Sequence, residues 1–142
     1  MTSRRLSSSI AISIVTLFPE FFESPLRVSV VQRAQEQGLV TVEIVDLRPF
    51  GLGRHRQVDD APFGGGPGMV MMMEPLRTAI HKARENAPQG VPIIHLTPQG
   101  RVLDQAGLQE LPDLPGLILV ASRYEGVDER LIEAEIDQEW SI

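Results

Sequence analysis

The segment that most constrains this chain is residues 117–121, Leu-Ile-Leu-Val-Ala, five apolar residues in succession with no polar residue on either face. A strand of that kind cannot turn a face to water. It belongs inside a parallel sheet covered by helices on both sides. Such a sheet requires strands to alternate with helices elsewhere, and the sequence supplies them. Ile10, Ile12 and Ile14 alternate with small residues before Val15 and Leu17, residues 40–45 form a β-branched run, and residues 91–96 give a third strand. Ser24-Pro25 offers a helix start, serine as cap and proline in the first turn, with the helix running to Gln37 and stopping at Gly38. Residues 69–73 read as a short strand and residues 75–85 as a helix. Asp104 is placed to cap a short helix through Glu110, and Asp128 another through Glu135, before the closing residues 136–142. Residues 1–9 are polar and Ser-rich and are expected to be a flexible tail, leaving one domain over residues 10–142. The predicted fold class is α/β, a mostly parallel sheet flanked by helices.

Composition removes several function classes. The 142 residues fit one domain, and 42% hydrophobic with 23% charged residues is ordinary for a globular protein. Cysteine is absent, which excludes a disulfide scaffold, a thiolate zinc site and a cysteine nucleophile. His55, His81 and His95 show no metal-ligand spacing, so no metal is expected. No apolar run approaches the roughly 18 residues of a membrane span, and the start has no secretory pattern; a cytoplasmic protein without a membrane partner is expected. The net charge of −6 is uneven: residues 104–142 carry 10 acidic and 2 basic side chains, residues 1–103 carry 9 and 11. That balance disfavours indiscriminate coating of nucleic acid and leaves room for a local phosphate site.

In a parallel α/β sheet, ligands bind beyond the carboxyl ends of the strands. The rule singles out residues 97–101 and residues 122–126, the loops after the two most buried strands. In the second, Arg123-Tyr124-Glu125-Gly126, a glutamate can hold a base or a cation, or can simply favour the dipole of the helix that follows. A further candidate is the loop Gly64-Gly65-Gly66-Pro67-Gly68. It is neither a phosphate loop with Gly-Lys-Ser/Thr nor a dinucleotide fingerprint, since Met69 stands where a third glycine is needed. Four glycines in five residues suit close approach of backbone to a ligand; the alternative is a surface turn. Arg48, Arg54, His55, Arg56, Asp59 and Asp60 lie just ahead of it. They suit phosphates and base edges as readily as a solvated loop with internal ion pairs. By position alone His95 is a strand-end histidine rather than a catalytic base, and Met69, Met71, Met72 and Met73 are core filling rather than a cofactor surface.

Three long motifs then occur in order: VDDAPFGGGPGMVMMMEPL at residues 58–76, LTPQGRVLDQAGL at residues 96–108, and RYEGVDERLIEAEIDQEWSI at residues 123–142. Together with FPEFF at residues 18–22 they resemble the TrmD family, the bacterial tRNA (guanine-N(1)-)-methyltransferases of the SPOUT, or trefoil-knot, superfamily. The resemblance covers about residues 10–142. It implies a knotted α/β domain, one of the rare exceptions to the unknotted chain, and transfer of a methyl group from S-adenosyl-L-methionine to N(1) of the guanosine 3′-adjacent to the anticodon in tRNA. It implies a homodimer with shared sites. It assigns His95, Leu96, Thr97, Pro98, Gln99 and Gly100, then Ser122, Tyr124 and Gly126, then Ser141 and Ile142, to the cofactor pocket. Glu125 becomes the catalytic candidate. Arg54, His55, Asp59, Gly64, Gly65, Gly66, Pro67, Gly68 and Met69 are assigned to the substrate. Ser122 departs from the family's usual glycine. In the family, the motif ending in Trp140-Ser141-Ile142 continues into a Gly-rich loop that completes the knot, a linker with the proposed general base, and a helical tRNA-binding domain. By that comparison residues 10–142 are an incomplete methyltransferase domain, expected to be inactive alone. The alternative from another class is a non-catalytic, dimerising or RNA-contacting α/β module.

Overall fold

The computed structural model describes residues 9–60, 70–121, 126–127 and 129–142. In chain order the elements are β1 (Ile10–Thr16), α1 (Glu23–Leu26), α2 (Ser29–Glu36), β2 (Val40–Asp46), β3 (Asp59–Asp60), β4 (Val70–Met71), α3 (Met73–Glu85), β5 (Ile93–Val102), α4 (Gln105–Glu110), β6 (Gly116–Ala121), β7 (Gly126–Val127), α5 (Glu129–Glu135) and β8 (Gln138–Ser141), with 3-10 turns at Pro19–Phe22 and Arg48–Phe50. Five strands form one sheet in the order β2-β1-β6-β5-β8, every neighbouring pair parallel. The all-apolar β6 is central, with Val120 opposite Val15 of β1 on one side and His95 of β5 on the other. The α/β expectation holds, and its most informative segment sits where a doubly buried strand must sit.

Strand alternation divides the core between the two faces of the sheet. Val15, Val45, Ile93, Ile118 and Val120 pack with Leu76, Ala79, Ile80 and Ala83 on one face. Those four form one stripe of α3 at helical spacing, each fully buried. Each large aliphatic side chain removed from water here contributes about 1.5–3 kcal/mol before the entropy of ordering it. The opposite face gathers Ile94, Leu117 and Trp140, with Ile12, Leu96, Leu103, Leu111 and Leu119 partly buried against them.

Several elements differ from expectation. The single helix predicted over residues 24–37 is two helices, α1 and α2. Val28 between them is extended, at φ −128° and ψ 152°, and Ser29 follows at φ 55°, a left-handed conformation rare outside glycine. Ser24 is not the cap, because α1 begins one residue earlier at Glu23. Helix α3 starts at Met73, inside the predicted strand, which contracts to Val70–Met71. Strand β5 continues past Leu96 to Val102, and residues 138–141, left without an assignment by pattern, form its edge neighbour β8. Asp104 caps α4 as expected, accepting a hydrogen bond from the Gly107 amide at 2.9 Å. Of the predicted tail, only Ser9 lies within the described residues, and Asp128 lies outside them.

Candidate functional site

Because β6, β5 and β8 are adjacent and parallel, their carboxyl ends open on the same edge of the sheet. The ladder between β5 and β8 breaks there. His95 faces Glu139, Leu96 faces Trp140, and then Arg101 faces Trp140 again, with Val102 opposite Ser141. Four residues, Thr97, Pro98, Gln99 and Gly100, are thus inserted into β5 with no register partner in β8. The sequence explains the insertion. Pro98 has no amide to give a ladder, and the Thr97 hydroxyl accepts the Gln99 amide at 3.3 Å, turning the chain on itself. Gly100 lets the return leg pass close to β8: a Cβ there would sit 2.5 Å from the Glu139 carbonyl carbon and the Trp140 nitrogen. Only glycine allows that approach.

Around the insertion the side chains are fixed. Trp140 is buried, and its indole N–H donates to Gln138 Oε1 at 2.8 Å. The Arg101 guanidinium lies 5.6 Å from the centre of the Trp140 ring and donates to Glu110 at 2.7 Å. That hydrogen bond raises the Arg101 pKa above its ordinary value, and the Glu110 charge adds to the effect. The Leu103 amide donates to the Ser141 carbonyl at 2.8 Å, so the predicted pocket residue Ser141 is held to the strand leaving the insertion. Ile142 beside it is largely exposed.

His95 belongs to the sheet interior. It is buried, and its Nδ1 donates to Glu139 Oε2 at 2.9 Å across the β5–β8 ladder. By alternation its ring lies on the Ile93 face, whereas Leu96 lies on the Ile94 and Trp140 face. These two members of the predicted pocket therefore leave opposite faces of the strand.

A second, three-stranded sheet, β3-β4-β7, joins the remaining candidates. Asp59 pairs with Met71 and Asp60 with Val70 in antiparallel register, and Val70 pairs in turn with Gly126. Segments far apart in sequence, one carrying Asp59 and one carrying Gly126, are thereby held two strands apart. The exposed Arg54 and His55 occupy the tip of a small hairpin closed by reciprocal hydrogen bonds between Leu52 and Gln57, 2.7 and 2.8 Å. The Gln57 side chain then donates to the Asp59 carbonyl at 2.9 Å, so the tip is tied directly to β3. Gly64, Gly65, Gly66, Pro67, Gly68, Met69, Ser122, Tyr124 and Glu125 lie outside the described residues.

Pattern reading singled out Arg101 only as the last of residues 97–101 and missed Glu139. No sequence signal marked Glu139, because the four residues 138–141 are too few to show a period and their strand is defined by pairing with β5. Among the described residues, no group of three or more His, Asp or Glu side chains could hold a metal ion, and no helix is long and apolar enough to cross a membrane.

Comparison with known proteins agrees with this geometry. Residues 10–142 match the family model described as tRNA (Guanine-1)-methyltransferase TrmD. A tRNA (guanine-N(1)-)-methyltransferase of Salmonella paratyphi A is 56% identical over 131 residues, 92% of this chain and 51% of that protein. One from Actinobacillus succinogenes is 53% identical over 92% of this chain and 54% of its own length. The crystal structure of a tRNA (m1G37) methyltransferase from Aquifex aeolicus superposes with a TM-score of 0.82 at 34% identity, covering 95% of this chain and 60% of that one. The chain thus spans about half the length of the curated relatives it matches.

Proposed function

The chain belongs to the tRNA (guanine-1)-methyltransferase TrmD family, and from that membership we propose that it supplies the methyl-transfer site of an enzyme that methylates N(1) of the guanosine 3′-adjacent to the anticodon in tRNA. The observation that carries the proposal is that strand pairing joins the three family motifs: the β5 insertion of the second motif lies along β8 of the third, and β3 and β4 of the first pair with β7 of the third. The methyl donor is S-adenosyl-L-methionine. The residues present fit it: the insertion of Thr97, Pro98, Gln99 and Gly100 offers main-chain groups outside the ladder beside the apolar Leu96 and Trp140. When bound, the donor supplies an activated methyl group on a sulfonium.

The chain's own work is alignment. In-line displacement requires the attacking nitrogen to be fixed against the donor carbon, and most of the catalytic gain lies in that positioning. Asp59 and Glu125 are assigned to the target base, where a carboxylate accepts hydrogen bonds from the guanine edge. N(1) carries a proton in the neutral base, so a base must take it as the new bond forms. Arg54 and His55, on the hairpin tied to β3, are assigned to the RNA flanking that base. Gly64, Gly65, Gly66, Pro67, Gly68 and Met69 border the same site, and Ser122, Tyr124, Gly126, Ser141 and Ile142 border the donor. A cytoplasmic homodimer without a membrane partner completes the proposal.

The test is transfer of labelled methyl from S-adenosyl-L-methionine to unmodified tRNA by a protein of the relatives' full length that contains these residues. Label on N(1) of a single guanosine beside the anticodon is expected. Label elsewhere, or RNA binding without transfer, overturns the reading in favour of a different modification or a binding module.

A further inference from the structure

Glu135 ends α5, a position where a negative charge opposes the helix dipole. Its side chain is only 10% exposed, yet three cationic or ionisable groups of α3 converge on it. His81 Nε2 donates to Glu135 Oε1 at 2.5 Å, Arg77 Nε lies 3.5 Å from the same oxygen, and Arg84 lies 3.8 Å from the other. Arg77, His81 and Arg84 are spaced four and three residues apart, one stripe of α3. The same two helices are joined at their other ends. Strand β4 leads into α3 and β7 into α5, and β4 and β7 pair in parallel at Val70 with Gly126 and Met71 with Val127. Two strand–helix units therefore run side by side, laddered where they start and latched where α5 stops. In sequence, residues 64–69 precede the first unit and residues 122–125 the second.

We propose that the Glu135 latch is a positioning device for methyl transfer: it fixes α5 against α3 and so sets how the strand carrying Asp59 and the strand carrying Gly126 are held across β4. Glu135 touches no reacting group and is a positioning residue. A latch that served packing alone would have no need of a charged group, since Ile132 and Ile136 already place the α5 segment in the core beside α3. A nearly buried carboxylate that accepts one hydrogen bond from His81 and lies within ion-pair distance of Arg77 and Arg84 of the same helix fixes a direction, which apolar contact does not. This inference rests on the function proposed above.

The test compares wild type, Glu135→Gln, Glu135→Asp and His81→Gln in a protein of the relatives' full length, with hydrogen exchange and single-turnover methylation measured well below the melting temperature. Exchange at Gly126, Val127, Val70 and Met71 should rise in Glu135→Gln while β1 and β2 are unchanged. The single-turnover rate should fall about tenfold, the scale of a small misalignment, with donor affinity unaltered. Glu135→Asp should restore part of the rate. His81→Gln, at a half-exposed position that tolerates substitution, should show a weaker version of the same pattern. A Glu135→Gln enzyme that melts earlier but turns over normally, or one in which exchange rises uniformly, would overturn the proposal. Absence of transfer by the wild type would instead overturn the function on which it rests.

Discussion

Replacing Gly100 by alanine probes the β5 insertion directly. The added Cβ would sit 2.5 Å from the Glu139 carbonyl carbon and the Trp140 nitrogen, and 2.6 Å from the Glu139 oxygen. Ordinary carbon contact begins near ~3.5 Å, so the insertion or β8 must move by roughly 1 Å. All three atoms are backbone, and no side chain can swing aside to absorb the displacement. Moving β8 loosens the pairings of Arg101 with Trp140 and Val102 with Ser141, and stretches the Leu103–Ser141 hydrogen bond. Overpacking of this kind costs about 2–3 kcal/mol. For a domain of this size the melting temperature should fall by roughly 6–15 °C. Because the displaced segment carries Thr97, Pro98 and Gln99, affinity for S-adenosyl-L-methionine should fall as well. Thermal unfolding followed by circular dichroism, with calorimetric titration of the donor, measures both. A variant that melts within a degree of wild type and binds the donor normally would refute the close approach and the place of the insertion in the donor site.

Asp104→Ala removes the cap on the Gly107 amide and should cost about 1 kcal/mol, read as a small fall in melting temperature with donor affinity unchanged. Glu125→Gln keeps the size of the proposed guanine contact and removes its charge. A charge-assisted hydrogen bond contributes about 1.5–3 kcal/mol, so catalytic efficiency should fall roughly 10- to 150-fold with little change in donor affinity; a loss of thermal stability with normal kinetics would reduce Glu125 to a helix-entry residue. The Arg101–Glu110 pair predicts an absence of pH dependence. Arg101 has its pKa raised in the fold, so its contribution is complete below the unfolded value and lost only as pH rises through the folded one, far above neutrality. The melting difference between wild type and Glu110→Gln should be the same at about pH 7 and about pH 9, well below any arginine titration.

What the sequence disclosed about the fold follows from where one signal dominates. Residues 117–121 are apolar on both faces, and no competing structure accommodates them, so the central strand and its class of sheet were evident. Helix α3 was evident for a similar reason, with Leu76, Ala79, Ile80 and Ala83 on one stripe. Residues 24–37 misled because propensity is local, whereas the break at Val28 and Ser29 is visible only as backbone geometry. Strand β8 was hidden because four residues are too few to show a period; its identity comes from pairing with β5. The rule that ligands meet strand ends pointed to residues 97–101, where the fold has the Thr97–Gly100 insertion. It could not show that Arg101 returns to the same Trp140 that Leu96 faces, because register belongs to the folded chain. The β3-β4-β7 sheet was invisible for the same reason: two-residue strands carry no periodicity, yet they hold Asp59 and Gly126 together.

The central claim is that this site methylates one guanine and reads it as guanine. The most direct measurement uses two tRNA transcripts that differ only in the nucleotide 3′-adjacent to the anticodon, guanosine in one and adenosine in the other. Each is incubated with labelled S-adenosyl-L-methionine and a protein of the relatives' full length that contains this chain, and the product is mapped by nuclease digestion and mass spectrometry. The account predicts one methyl group on N(1) of that guanosine and none on the adenosine transcript. Equal labelling of both transcripts, or a methyl group placed on another nucleotide, would contradict it.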